Sequence, residues 1–144
     1  KKLVGHEELM EECFRGLVQC LRELLPGFGA TLAVDSTDME AYSDGYRKRP
    51  SDPDARWGAK KKGAKGEGKQ QDAYLWFGYK LHLAVDAIYE LPVSFLLTAA
   101  NESDTKQMGA LLKKAVEGTG DKPEVVVADR GYDSAVSARR RTAA

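Results

Sequence analysis

Apolar residues recur along HEELMEECFRGLVQCLRELL, residues 6–25, at Leu9, Met10, Cys13, Phe14, Leu17, Val18, Leu21, Leu24 and Leu25. That spacing lays a broad stripe along one side of a helix, and Pro26-Gly27 stops it. A short buried strand, TLAVD, follows at 31–35 and ends on Asp35. From about 36 to 73 the pattern is lost. Polar residues, Gly and Pro interrupt one another there, which predicts a loop with little regular structure. Alternation returns in WFGYKLHLAVDA, with Tyr79, Leu81, Leu83 and Val85 on one face and Lys80, His82 and Ala84 on the other. IYEL makes a turn, and LPVSFLLTA returns as the second strand of an antiparallel hairpin. Pro92 suits its first positions.

SDTKQMGALLKKAVEG then reads as a helix. Asp104 and Gln107 resemble a capping box; Met108, Leu111, Leu112, Ala115 and Val116 form its stripe, and Gly118 and Gly120 end it. PEVVVAD is apolar on both faces, as a central parallel strand should be. A further helix begins at Asp133-Ser134. The order is helix, strand, long loop, strand, strand, helix, strand, helix start, with no internal repeat. This is an α/β pattern. The crossover helix between the last two strands makes them parallel and must be right-handed.

The 144 residues suit one domain with a single core. Charge cancels, 22 basic against 22 acidic residues, so its distribution matters more than its sum. The centre of the polar stretch holds nine Lys or Arg against three acids. No apolar run is long enough for a membrane span, and no secretory signal is visible. Cys13 and Cys20 would lie roughly 10 Å apart along a helix, too far to bridge, and read as small core residues. With no CxxC or Cys/His cluster, structural zinc is not expected. The usage fits a reducing, cytoplasmic setting.

Two strands finish on aspartate: Asp35 after TLAV and Asp129 after VVVA. Either could be mere punctuation, a terminator or a cap. If the strands lie side by side and parallel, however, both carboxylates emerge at one sheet edge, where open α/β sheets bind ligands. Two carboxylates that close favour a cation between them. Mg²⁺ takes oxygen ligands and binds through one or two carboxylates.

LAVDSTDMEAYSDG, DPDARWG, FGYKLHLAVDAIYELPVSFLLTAANESD and VVADRGYDS, taken together and in this order, resemble the DDE-domain transposases of bacterial insertion sequences, in the insertion-sequence-four-like group. The similarity runs from about Leu32 to Ser134. It implies a ribonuclease H-like mixed sheet (β–long loop–β–β–α–β–α), incomplete at the C-terminus. A helical segment at 1–28 would precede the partial domain at 29–144, with a basic loop at 44–73. It also implies catalytic metal ligands at Asp35 and Asp129, Mg²⁺ or Mn²⁺ as cofactor, and DNA cleavage and strand transfer at transposon ends. DNA is the expected partner, with a homodimer open. The family's third acid, a Glu on a later helix, has no counterpart: no Glu follows Asp129, and Asp133 sits where a helix cap belongs. The chain therefore looks truncated or frame-shifted, and inactive by itself. A non-catalytic remnant that only binds nucleic acid is the alternative.

Arg56, Trp57, Lys60, Lys61, Lys62, Lys65 and Lys69 are the candidate DNA contacts. They stand against the simpler reading of a solvated charge run. Trp57, Trp76 and Tyr132 are candidates to stack on unpaired bases, with core packing the simpler role for Trp76. His82 reads as a hydrogen-bonded sheet histidine, Asp86 as a turn residue and Asp104 as a cap.

Overall fold

The computed structural model describes residues 6–61, 73–129 and 132. The amphipathic stripe near the N-terminus forms helix α1, Glu7–Leu24. It ends where Leu25 turns extended and Gly27 takes a positive φ of 73°. The strands are β1 (Thr31–Glu40), β2 (Arg56–Lys61), β3 (Ala73–Asp86), β4 (Pro92–Ala99) and β5 (Val125–Ala128), with helix α2 (Asp104–Thr119) between the last two. They form one five-stranded mixed sheet in the order β2-β3-β1-β5, with β4 also pairing with β3. β1 and β5 are parallel. β2 runs antiparallel to β3. The alternation through WFGYKLHLAVDA thus becomes a strand, and the turn at IYEL closes the β3–β4 hairpin with Asp86 N–H donating to the Leu91 carbonyl at 2.9 Å.

By density of internal contacts the chain divides into two units. One comprises Lys1–Asp35, His82–Leu96 and Asp104–Ala144; the other comprises Ser36–Leu81 and Leu97–Ser103. The first holds the main core: Val18 and Phe28, Leu32 and Val34 of β1, Ala84 of β3, Val93 of β4, Leu111 and Ala115 of α2, and Tyr132. α1 and α2 meet where Gly118 leaves room for Val18; a Cβ on that glycine would lie 3.0 Å from the valine Cγ1. Ion pairs Glu11–Lys114 at 2.7 Å and Arg22–Asp121 at 2.5 Å border this contact. Both are partly exposed, so each adds at most about 1 kcal/mol.

In the second unit, Gly78 of β3 lies so near β1 that an added Cβ would clash with the Met39 carbonyl oxygen. Only glycine permits that approach. Asp52 holds the segment before β2. Its Oδ1 accepts from the Asp54 and Ala55 N–H groups, both at 3.2 Å, and from the Tyr79 hydroxyl at 2.7 Å.

Four expectations change. β1 does not end at Asp35 but continues to Glu40. The polar stretch is not uniformly a loop, because β2 lies within it, secured by six aligned residue pairs with β3. β5 is parallel as expected but is the end strand of the described sheet, and Val125, Val126 and Val127 are 37–58% exposed. Cys13 and Cys20 are exposed, not core residues. α1 turns Phe14, Val18, Leu21 and Leu25 towards the core, while Leu9, Met10, Leu17 and Leu24 stay exposed. The apolar arc is thus wider than the face that packs. The expected helix from Asp133 lies outside the described residues.

Candidate metal centre

β1 and β5 supply the geometry that matters most. Thr31 aligns with Val125, Leu32 with Val126, Ala33 with Val127 and Val34 with Ala128. The residue after each of these last partners is an aspartate, Asp35 within β1 and Asp129 just past the end of β5, and both are exposed. Neighbouring strands lie about 4.8 Å apart, so the two carboxylates start from backbones at roughly that distance. Aligned residues of a parallel pair share a face. Leu32 and Val34 are buried in the core, and Ala33 and Asp35 alternate to the exposed side. Two unit charges about 4 Å apart repel by about 1 kcal/mol in water and by about 4 kcal/mol at the dielectric typical of a protein surface.

Tyr132 N–H donates to the Asp129 carbonyl at 3.2 Å. The Tyr132 ring is 1% exposed and belongs to the core. Its hydroxyl lies 2.7 Å from His82 Nδ1, and the two rings meet edge to face. His82 is itself fully buried on β3. It is therefore the hydrogen-bonded sheet histidine expected of it, and its partner tyrosine fixes the end of the strand that carries Asp129. Tyr132 is not a base-stacking residue, because its ring is enclosed. The sequence signal was present, a tyrosine three residues beyond the aspartate. Only the fold shows that it pairs with a histidine 50 positions away.

Asp86 is also buried, and its role is structural. Oδ2 accepts from Gly29 N–H at 2.7 Å, and Oδ1 accepts from Ile88 at 2.9 Å and Tyr89 at 2.8 Å. It closes the hairpin turn, as its position in the sequence suggested.

The basic candidates lie in the other unit. Arg56 donates to the Pro53 and Ala55 carbonyls, and so braces its own loop. Lys60 pairs with Asp38 Oδ2 at 2.8 Å and lies over the Trp76 ring. Trp76 is 2% exposed, a core side chain as the simpler reading had it. Trp57 is 38% exposed. Lys61 is the last residue of β2. Arg56, Trp57, Lys60 and Lys61 are thus strand residues rather than loop residues. Lys62, Lys65, Lys69 and Asp133 lie outside the described residues.

Among the described residues no three His, Cys, Asp or Glu side chains gather as a metal cluster. The two aspartates after the last aligned β1–β5 pair remain: two exposed carboxylates, the donor type that a hard divalent cation takes. A mixed sheet with a parallel β1–β5 pair, an aspartate following the last aligned residue of each, and two helices places the chain in the class of ribonuclease H-like α/β domains. Residues 26–142 match the family described as Transposase DDE domain, and the chain belongs to that family. Transposases bind DNA, and those with a DDE domain generally use divalent metal ions. No solved structure matches the chain. Among the described residues no helix is long and apolar enough to cross a membrane.

Proposed function

We propose that this domain is built for metal-dependent cleavage and strand transfer of DNA at insertion-sequence ends, with Asp35 and Asp129 as metal ligands. The observation that carries this reading is the parallel register that leaves those two residues next in line on adjacent strands. The donor set fits Mg²⁺ or Mn²⁺, which bind through one or two carboxylates while keeping several waters. A divalent ion held there supplies neutralisation of the charge that builds on a phosphodiester and activation of the attacking oxygen. The protein's own part is positioning. Parallel pairing of the strands that precede them supports a close spacing of the carboxylates, and the buried Tyr132–His82 pair supports Asp129 through the Tyr132 N–H. Displacement at phosphorus depends on such fixed geometry more than on covalent chemistry by the protein.

Arg56, Lys60, Lys61, Lys62, Lys65 and Lys69 are proposed to contact the DNA backbone, which makes binding sequence-independent and salt-dependent, with Trp57 among them as an aromatic contact. This polypeptide carries no glutamate after Asp129, so on its own it is expected to be inactive or nearly so, whether monomer or homodimer. Calorimetric titration with Mn²⁺ should show binding that Asp35→Asn abolishes. Binding unchanged by that substitution would remove the two-aspartate site. A plasmid-nicking assay in Mg²⁺ or Mn²⁺ tests the inactivity: strong cleavage lost in Asp35→Ala would refute it.

A further inference from the structure

An aromatic run crosses the second unit. Phe77 of β3 aligns with Trp57 of β2, and their ring centroids are 5.5 Å apart. Tyr46, from the segment before β2, continues the run, its centroid 4.7 Å from that of Trp57 at an interplanar angle of 57°. Gly45 lets the chain pass close, since a Cβ there would sit 2.5 Å from Phe77 Cγ. Burial decreases along the run: Phe77 is half-buried, Trp57 is 38% exposed and Tyr46 is 85% exposed. A packing cluster hides its outermost ring. This one presents it to solvent, on a segment held in place. The Ser51 hydroxyl and the Asp52 N–H both donate to Ser43 Oγ, at 3.0 and 3.2 Å. Three exposed cations follow Tyr46 directly: Arg47, Lys48 and Arg49. Arg47 has only a loose pairing with Asp44, at 3.4 Å.

The opposite face of the same strand pair differs. There Tyr74 stacks on Trp76, the Tyr74 hydroxyl donates to Glu40, and Lys60 is paired with Asp38. Its charges are matched and its indole is buried. An exposed ring with three exposed cations beside it, of which Arg47 is only loosely paired, suits a ligand that offers flat π-faces and a chain of phosphates.

We propose that Tyr46 and Trp57 form a stacking platform for the unpaired bases of single-stranded DNA, with Arg47, Lys48 and Arg49 as its phosphate contacts. This rests on the DNA-binding reading above and adds the form of DNA that this face takes. Duplex DNA hides its base faces and can use only the cations.

The test uses the full chain, labelled oligo(dT) and a duplex of equal length, at several salt concentrations. Oligo(dT) should quench tryptophan emission, and Trp57→Phe should abolish that quenching while leaving a ring in place. Tyr46→Ala, at a position too exposed to threaten the fold, should weaken oligo(dT) binding by roughly 5- to 150-fold at fixed salt. It should leave duplex affinity and the salt slope unchanged. Replacing Arg47 and Arg49 together by Ala should flatten the single-strand slope of log K against log salt by about 1.4. Oligo(dT) affinity unchanged in Tyr46→Ala, or lost equally on duplex, overturns the platform and leaves the general DNA reading standing. Absence of binding to either nucleic acid overturns both.

Discussion

Asp86 and the pair Asp35–Asp129 put the same functional group to opposite uses within one unit. Asp86 is fully buried, and three backbone N–H groups point at its two oxygens. Its charge is consumed in fixing a turn and the Gly29 segment. Asp35 and Asp129 are exposed, each one residue beyond the last aligned pair of β1 and β5. Burial with converging donors makes a carboxylate a structural part. On the reading proposed above, exposure beside a second carboxylate suits Asp35 and Asp129 to a shared cation, because a cation relieves the repulsion between two such charges. Sequence position alone does not separate them, since all three follow apolar strands.

The largest expected effect belongs to the buried one. Asp86→Ala strips acceptors from Gly29, Ile88 and Tyr89 at once. Hydrogen bonds to charged groups contribute about 1.5–3 kcal/mol each, non-additively, so a loss of about 4 kcal/mol is expected in urea unfolding. A loss below about 1 kcal/mol would show that the turn does not depend on this side chain. For Asp35→Asn the expectation concerns metal. A ligand at 100 times its dissociation constant stabilises the folded state by about 2.7 kcal/mol. Mn²⁺ at that level should raise the wild-type midpoint, and Asp35→Asn or Asp129→Asn should erase the increment. If either variant keeps it, the two carboxylates do not act on one ion.

Much of this arrangement could be read from residue patterns, and the exceptions share a cause. VVVAD and TLAVD were legible because apolar runs ending on an acid keep their character whatever surrounds them. The helix between β4 and β5 made those two strands parallel in direction, but that β5 pairs with β1 was only a condition in the sequence and is supplied by the fold. Residues 36–40 (STDME) and 56–61 (RWGAKK) carry no alternating pattern, yet both are strand. Partners supply what side chains do not: β3 is 14 residues long and offers ladder positions to both. Gly58 shows the ambiguity well. Read as a breaker, it is instead where the Trp76 ring lies, since a Cβ there would come within 2.5 Å of the indole. Cys13 and Cys20 misled for a different reason. A helix stripe marks residues able to be buried, and α1 has more of them than its core-facing side accommodates.

The buried pair below Asp129 offers a smaller effect and a sharper distinction. Tyr132→Phe keeps the ring in the core but removes the hydroxyl 2.7 Å from His82 Nδ1. A buried ring nitrogen that loses its partner costs about 1–3 kcal/mol. If the pair also positions Asp129, Mn²⁺ affinity should fall several-fold as well. His82→Phe in the Tyr132→Phe background, with both polar ends gone, should recover part of the stability but none of the affinity. Equal recovery of both would mean that the pair only packs.

The bond from Tyr79 to Asp52 is expected to show itself through pH. Burial and the hydrogen bond to Asp52 push the Tyr79 phenol from its ordinary 10.0 up to about 12. The same bond from Tyr79, helped by the Ala55 and Asp54 N–H groups, holds Asp52 below its ordinary 3.8. On the alkaline side the unfolded chain gives up the phenolic proton near pH 10 while the folded chain keeps it to about 12. The stabilisation is therefore whole below pH 10 and is lost as pH climbs through the folded value. On the acid side it is whole above 3.8 and is lost as pH falls through the lowered Asp52 value. Tyr79→Phe should cost about 1 kcal/mol at neutral pH, as one partly exposed bond to a carboxylate. Its difference from the wild type should shrink at both extremes. Denaturant midpoints at pH 3, 7 and 11.5 decide it: a constant difference across all three would mean that the phenol contributes by packing, and that Asp52 holds its loop through backbone N–H groups alone.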